Sequence, residues 1–241
     1  MKSIIVTGDS GGLGSEVVSA LLENTEYNVI GLSRSENDVI LQMKSRHSER
    51  YQHIDFDLEN VDLVKDLYLK QLKKLGPIFG LVNNSAFAYD DLVTNANLES
   101  LERMYRVNVL SPIALTKYAI RDMLLHKTRG SIVHISSVSA HTGYKGLSMY
   151  ASTKGAIEAF SKGVAREWGG VGIRSNCVSP GFMETKMSET LSAEQKDRIY
   201  KRTSLKEETS VKSVAQTVQF ILSDAAGSIT GQVIHVDNGT I

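Results

Sequence analysis

The sequence predicts an α/β fold, a doubly wound parallel sheet of about seven strands with helices on both faces. Three observations carry that expectation. Short β-branched runs alternate with long amphipathic stretches along all 241 residues. A glycine-rich turn follows the first of those runs, and no repeat, low-complexity tract or Pro/Gly/Ser linker divides the chain. Strand–helix alternation of this kind buries a parallel sheet on both faces, so its strands read as near-continuous apolar runs.

In chain order, strands are expected at Ser3–Thr7, Asn28–Leu32, Tyr51–Phe56, Ile78–Asn83, Ser131–Ser136, Ile173–Val178 and Gln232–Val236. Each is rich in Val and Ile and bounded by turn-forming residues. Helical periodicity covers Leu13–Glu23, Val39–His47, Val61–Leu75, Leu98–His126, Met149–Trp168 and Val211–Ser223. The stretch from Gly181 to Ser210 is polar with a weak helical pattern. It reads as a partly mobile substrate lid over residues 182–210, with a plain surface helix as the alternative.

Composition excludes several function classes. Lys plus Arg and Asp plus Glu balance at 27 each, so no global field draws the chain to nucleic acid or anionic lipid. There is no basic-aromatic patch for nucleic acid and no apolar run of membrane-spanning length. The six histidines show no metal-ligand spacing, so no metal is expected. The single cysteine, Cys177, forbids an internal disulfide and reads as a small buried hydrophobe. The start of the chain has no signal-peptide pattern, and a cytoplasmic location is expected.

Thr7-Gly8-Asp9-Ser10-Gly11-Gly12-Leu13-Gly14 joins the first strand to the first helix. Glycines there permit a tight turn and let backbone N–H groups approach a pyrophosphate at the helix N-terminus. No Lys-Ser/Thr follows, which excludes a triphosphate P-loop. The second strand ends Gly31-Leu32-Ser33-Arg34. A carboxylate at Ser33 would hold the ribose diol of NAD and repel a 2′-phosphate, whereas Arg34 offers a phosphate a charge-assisted fork. NADP(H) is therefore the expected coenzyme and NAD(H) the alternative, with Asp9 in the loop arguing against the phosphate.

Tyr150 and Lys154 stand one turn apart on one face of a helix. A free phenol, with a pKa of about 10, is a poor base at neutral pH. A neighbouring ammonium and an oxidised nicotinamide would stabilise its phenolate. Ser137 lies at the C-terminal end of the fifth strand, the sheet edge where open parallel sheets bind ligands. Asn108 precedes Pro112 by four residues, and proline has no N–H for the Asn108 carbonyl. That leaves two readings open, a carbonyl free to hold a water near Lys154 or simply a kinked helix.

Together these positions resemble the short-chain dehydrogenase/reductase family over Lys2 to Gly239. The resemblance implies a single-domain Rossmann-type fold over residues 1–241 and a catalytic set of Asn108, Ser137, Tyr150 and Lys154. It implies coenzyme contacts at Gly8, Ser10, Gly11, Gly12, Leu13, Gly14, Arg34, Asp57 (with Asp55 as rival), Leu58, Asn83, Tyr150 and Lys154. Further contacts are implied at Pro180, Gly181, Met183 and Thr185. The family's Asn-Asn-Ala-Gly stands here as Asn83-Asn84-Ser85-Ala86, and Asn238 replaces a usual glycine. By the same resemblance Ser137 holds the substrate oxygen and Tyr150 transfers its proton. Lys154 binds the nicotinamide ribose and lowers the tyrosine pKa, and Asn108 anchors a relay water.

The nearest likeness is to 3-oxoacyl-acyl-carrier-protein reductases, which implies an acyl-thioester substrate and an acidic carrier protein as partner. Arg129 fits that partner, while Val171 stands where a second basic residue is expected. A sugar, polyol or other small-alcohol dehydrogenase is the alternative, and a non-catalytic NADP-sensing protein a third reading. Substrate shape is expected from Ala88–Val93, Ala140–Met149 and the lid. Ala151, Gly155, Ala159 and Gly163 form a small-residue ridge on the Tyr150 helix, beside an apolar stripe from Met149 to Trp168. The ridge allows close helix approach, and with the family's habit it implies a homotetramer, or failing that a dimer.

Overall fold

The central strands are buried at every residue, and that burial dictates the layering of the whole chain. The computed structural model describes residues 2–184 and 192–241. In order they form β1 (Ser3–Thr7), α1 (Gly12–Asn24), β2 (Asn28–Ser33), α2 (Asp38–Arg46), β3 (Tyr51–Asp55), α3 (Val64–Lys70), β4 (Ile78–Asn83), α4 (Leu98–Tyr105) and α5 (Ser111–Leu125). Then follow β5 (Ser131–Ile135), α6 (Ser148–Trp168), β6 (Arg174–Pro180), α7 (Ala193–Tyr200), α8 (Val211–Leu222) and β7 (Val233–Val236).

All strand pairs are parallel and the sheet order is β3-β2-β1-β4-β5-β6-β7. Successive side chains of a strand face opposite sides, so β1 feeds two cores. Ile4 and Val6 pack with Val17 and Leu21 of α1 and Val214 and Val218 of α8. Ile5 packs with Leu67 of α3, Leu115 and Met123 of α5, and Val164 of α6. The edge strands β3 and β7 are less fully buried.

The order reverses between β1 and β4, which opens a crevice at their C-terminal ends, the usual ligand position in such sheets. The doubly wound expectation is met. Three elements differ from it by more than one residue at an end. The helix expected over Leu98–His126 is two helices joined by a π-turn over Arg106–Leu110. Pro112 has no N–H to donate to the Asn108 carbonyl, and the Ser111 N–H reaches the Arg106 carbonyl. The helix expected over Val61–Leu75 is α-helical only at Val64–Lys70, with 3-10 turns on either side. Strand β6 runs two residues further than expected, to Pro180. In the segment expected to form a lid, Ser192 and Gln195 close a reciprocal cap on α7, a surface helix with no buried residue.

Candidate active site

The turn between β1 and α1 is shaped by the absence of side chains. Gly8 has φ +75°, and a Cβ on it would come 2.8 Å from Ser85 Oγ. A Cβ on Gly14 would strike the Gly8 carbonyl oxygen, whereas one on Gly11 would meet open space within 4 Å. The N-termini of α2, α4, α7 and α8 are capped by Asn37, Asn97, Ser192 and Ser210. By contrast α1 begins at the crevice with no side-chain cap and no acid in its first turn. Its free N–H groups and positive dipole end suit an anion such as a pyrophosphate. Gly11, Gly12 and Leu13 stand at that helix end.

At the end of β2, Ser33 is buried and its hydroxyl has no partner among the described residues. Arg34 beside it is exposed and makes no hydrogen bond or ion pair among them. Asp9 is fully buried, and its Oδ2 accepts from the Tyr51 hydroxyl at 2.6 Å and lies 2.7 Å from His53 Nδ1. The carboxylate sits over Gly31, whose missing Cβ makes room for it. Tyr51 and His53 of β3 thus hold its Oδ2, while its Oδ1 has no partner among the described residues. Asp57 accepts from the Glu59 N–H at 3.0 Å, closing the turn after β3, with Leu58 buried next to it. The rival Asp55 instead lies 3.0 Å from His53 Nε2.

Asn83 ends β4 at the crevice, and only its backbone is left to face a coenzyme there. Its side-chain amide donates into the core, toward Thr116 Oγ1 at 3.4 Å and His134 Nδ1 at 3.1 Å, because the pleat turns the last residue of β4 that way. Its neighbour does the bracing of the glycine turn: Asn84 Nδ2 donates to the Thr7 carbonyl at 2.8 Å, and the Asn84 and Ser85 N–H groups donate to Thr7 Oγ1.

On the other side of the crevice, α6 presents Tyr150 and Lys154 together, the Lys154 Nζ lying 5.5 Å from the centre of the Tyr150 ring. Lys154 is buried, and its Nζ donates at 2.8 Å to the carbonyl of Ile135 at the end of β5, two residues before Ser137. Ser137 is held by the Ser139 N–H, which donates to its Oγ at 3.2 Å. Asn108 reaches α6 through Thr153, its Nδ2 donating to Thr153 Oγ1 at 3.1 Å. The same amide donates to the Phe87 carbonyl and its Oδ1 accepts from the Phe87 N–H, clamping the loop after β4.

Burial pushes the Lys154 ammonium down to about 8, with Glu158 among the groups resisting the fall. The Tyr150 phenol behaves differently from the expectation. Burial raises it above its ordinary value and the Asp90 carboxylate adds to the rise, so the protein's own groups do not lower it. His134 is fully buried, pushed down to about 3 and therefore neutral.

Comparison with known proteins agrees with this geometry. The family model described as Enoyl-(Acyl carrier protein) reductase matches residues 8–240. The chain is 31% identical to L-xylulose reductase of Caenorhabditis elegans, covering 99% of this chain and 95% of that protein. It is 30% identical to 3-oxoacyl-acyl-carrier-protein reductase of Buchnera aphidicola, covering 99% and 96%. A solved short chain dehydrogenase/reductase family protein superposes with a TM-score of 0.88 at 27% identity, covering 99% and 96%. The chain belongs to the short-chain dehydrogenase/reductase family.

Among solved relatives of this dehydrogenase/reductase, ElxO with NADP bound shares 29% identity with a TM-score of 0.90, covering 99% and 98%. The chain is thus an NAD(P)-dependent oxidoreductase acting on CH–OH and C=O groups. Its residues fit the dinucleotide: the uncapped α1 terminus, the glycine-rich turn and the unpartnered Ser33 hydroxyl stand at the C-terminal ends of β1 and β2. At the far end Pro180 closes β6, and a Cβ on Gly181 would come 2.8 Å from the Asp237 backbone. Met183 packs on the core of the α1 and α8 side. Thr185 lies outside the described residues.

Several residues of this oxidoreductase escaped sequence reasoning. Asn37, whose Nδ2 donates to the Ser10 carbonyl at 2.6 Å, braces the nucleotide turn while it caps α2. The cap signal was visible in the sequence, and its reach was not. Tyr51 and His53 alternate along β3 and so share a face, but nothing local said that Asp9 would meet them.

Proposed function

We propose that this oxidoreductase uses NADP(H) to reduce a carbonyl to a secondary alcohol, with a 3-oxoacyl thioester as the leading substrate class. The observation that carries the reading is the tie between Lys154 and Ile135, which fixes the α6 pair against the strand end bearing Ser137. The coenzyme, when bound, supplies hydride from its nicotinamide. The chain's own residues handle the substrate oxygen: Ser137 orients it and Tyr150 delivers its proton, within general-acid catalysis worth about 10²–10⁴-fold. Lys154, one turn along from Tyr150, would hold the nicotinamide ribose, and the positive nicotinamide of the oxidised coenzyme would supply the charge that favours the phenolate. Asn108 holds the loop after β4 against α6 and sits at the π-turn, where its carbonyl is the candidate anchor for a relay water.

NADP(H) is favoured over NAD(H) by the free Arg34 and the Ser33 hydroxyl, with the buried Asp9 counting against it. Arg34→Ala is expected to weaken NADPH about tenfold and leave NADH within twofold, measured by fluorescence titration. Equal weakening of both would refute the phosphate role.

A second reading, reduction of a sugar or polyol, is supported by Asp90, a carboxylate close enough to raise Tyr150 and able to accept substrate hydroxyls. Turnover of acetoacetyl-thioester against L-xylulose with NADPH separates the two. Arg129, exposed and laid across Gly172, is the candidate contact for an acyl carrier protein, although the exposed Val171 offers that partner no charge. We extend the reading to residues 182–210 as a lid, of which 185–191 lie outside the described residues; in the rest Glu184 accepts from Tyr200 and pairs with Lys196 of α7. A homotetramer is supported by α6: Met149, Thr153, Ile157 and Val164 are buried within the chain, while Gly155 and Gly163 face open space. Cys177 plays no chemical part, its buried thiol being pushed up to about 12, and a cytoplasmic setting completes the reading.

A further inference from the structure

Glu158 is a buried carboxylate to which the chemistry above gives no role. It lies on α6 one turn beyond Lys154, and it is 7% exposed. An unpaired carboxylate in such a place is costly, so its partners decide what it is for. Its Oε1 accepts from the Ser136 hydroxyl at 2.5 Å and lies 2.9 Å from His141 Nε2. Since a carboxylate only accepts, that histidine nitrogen carries the donated proton.

Ser136 and His141 stand at the two ends of the short segment that carries Ser137. Between them, the Ser139 N–H donates to Ser137 Oγ, the Ala140 N–H to the Ser137 carbonyl and the His141 N–H to the Val138 carbonyl. The Ser136 N–H is fixed to the Val178 carbonyl of β6 at 2.8 Å. The far end has fewer anchors: beyond the Glu158 contact, the His141 ring rests edge-on against His235 of β7 at 4.8 Å. One carboxylate thus grips both ends of the Ser137 segment, and it does so from the helix that also carries Tyr150 and Lys154.

We propose that Glu158 is a positioning residue, a clamp that sets the distance between the Ser137 hydroxyl and the Tyr150–Lys154 face of α6. The inference rests on the reductase reading, because it concerns the placement of the group that holds the substrate oxygen. Reacting groups must be held to within a fraction of an ångström, and a misplacement of about 1 Å can cost 10²-fold in rate. The clamp differs from an ordinary packing contact in that, at pH values below the alkaline limb, its effect on rate passes through Ser137. The same carboxylate resists the fall of the Lys154 ammonium, so its removal also shifts the alkaline limb of the rate profile to lower pH.

A double-mutant cycle tests this. Wild type, Glu158→Ala, Ser137→Ala and the double variant are assayed with NADPH and the best carbonyl of the acetoacetyl-thioester and L-xylulose pair. NADPH affinity and thermal melting are measured on each. Glu158→Ala is expected to lower kcat at least tenfold in the wild-type background, with NADPH affinity within twofold. In the Ser137→Ala background it should lower kcat less than threefold. Glu158→Gln, which keeps an acceptor oxygen, should recover most of the rate, and its alkaline limb should fall at lower pH than in wild type. Should Glu158→Ala fail to fold, Ser136→Ala removes one arm of the clamp and takes its place in the cycle. The same rate factor in both backgrounds, or no loss of kcat in either, would overturn the clamp. Wild-type protein that turns over neither carbonyl would overturn the reductase reading and the clamp together, which keeps the two failures apart.

Discussion

The two walls of the crevice are built by opposite means. The nucleotide wall, at the ends of β1 and β2, is made by leaving atoms out: no Cβ at Gly8, Gly11 or Gly14, and no side-chain cap on α1. The chemical wall, at the end of β5 and along α6, is made by burying groups that resist burial. Lys154, Glu158 and His134 are all buried there, and two of the three have pKa values displaced far from the ordinary. The first wall offers backbone dipoles to a ligand that brings its own charge. The second stores electrostatic cost where the proposed mechanism moves a proton, the pattern expected of a site that does chemistry. The contrast has consequences for mutation.

The largest expected effect falls on the nucleotide wall. Gly14→Ala places a methyl against the Gly8 carbonyl, so the turn must open; loss of measurable NADPH binding is expected, with a lower melting temperature. Retained micromolar binding would mean that the turn is not the cradle. Next comes Lys154→Met on the chemical wall. With a folded value of about 8 against an ordinary 10.5, the unfolded chain holds this proton more tightly between those two pH values. Stability therefore rises with pH across that window, and at pH 7 the full cost, on the order of 3 kcal/mol, opposes folding. Lys154→Met is expected to lower turnover at least about 100-fold yet melt higher than wild type at pH 7, the difference shrinking as pH rises from 8 toward 10. A lower melt at pH 7 would contradict the burial cost. The smallest effect belongs to Gly11→Ala, whose new methyl meets nothing within 4 Å. Melting should be unchanged while NADPH weakens about tenfold, since the methyl enters the space kept for the ligand.

The same contrast explains what could be read from the sequence. Glycine spacing is local, so the nucleotide turn and its strand–turn–helix setting were visible in Thr7–Gly14. The strands were visible too, because residues buried on both faces must be apolar. The π-turn at Arg106–Leu110 was half visible: Pro112 announced a broken bond, but the choice of a wider turn depends on Ser111 reaching Arg106. The direction of the Asn83 side chain was not visible: the strand pleat sends its amide to Thr116 and His134, while Asn84 braces the glycine turn. Pairs distant in sequence stayed hidden. Tyr51 and His53 lie 42 and 44 residues from the Asp9 they hold, and Glu158 lies 22 from Ser136. Nothing in the local pattern of either member names the other.

The central claim is that the Tyr150 phenol moves the proton while the opposite wall binds the coenzyme independently. Tyr150→Phe removes one hydroxyl and leaves the nucleotide wall untouched. Its NADPH dissociation constant should stay within about twofold of wild type while carbonyl turnover falls by about 10²–10⁴-fold. A variant that keeps more than a tenth of the wild-type rate would contradict the account.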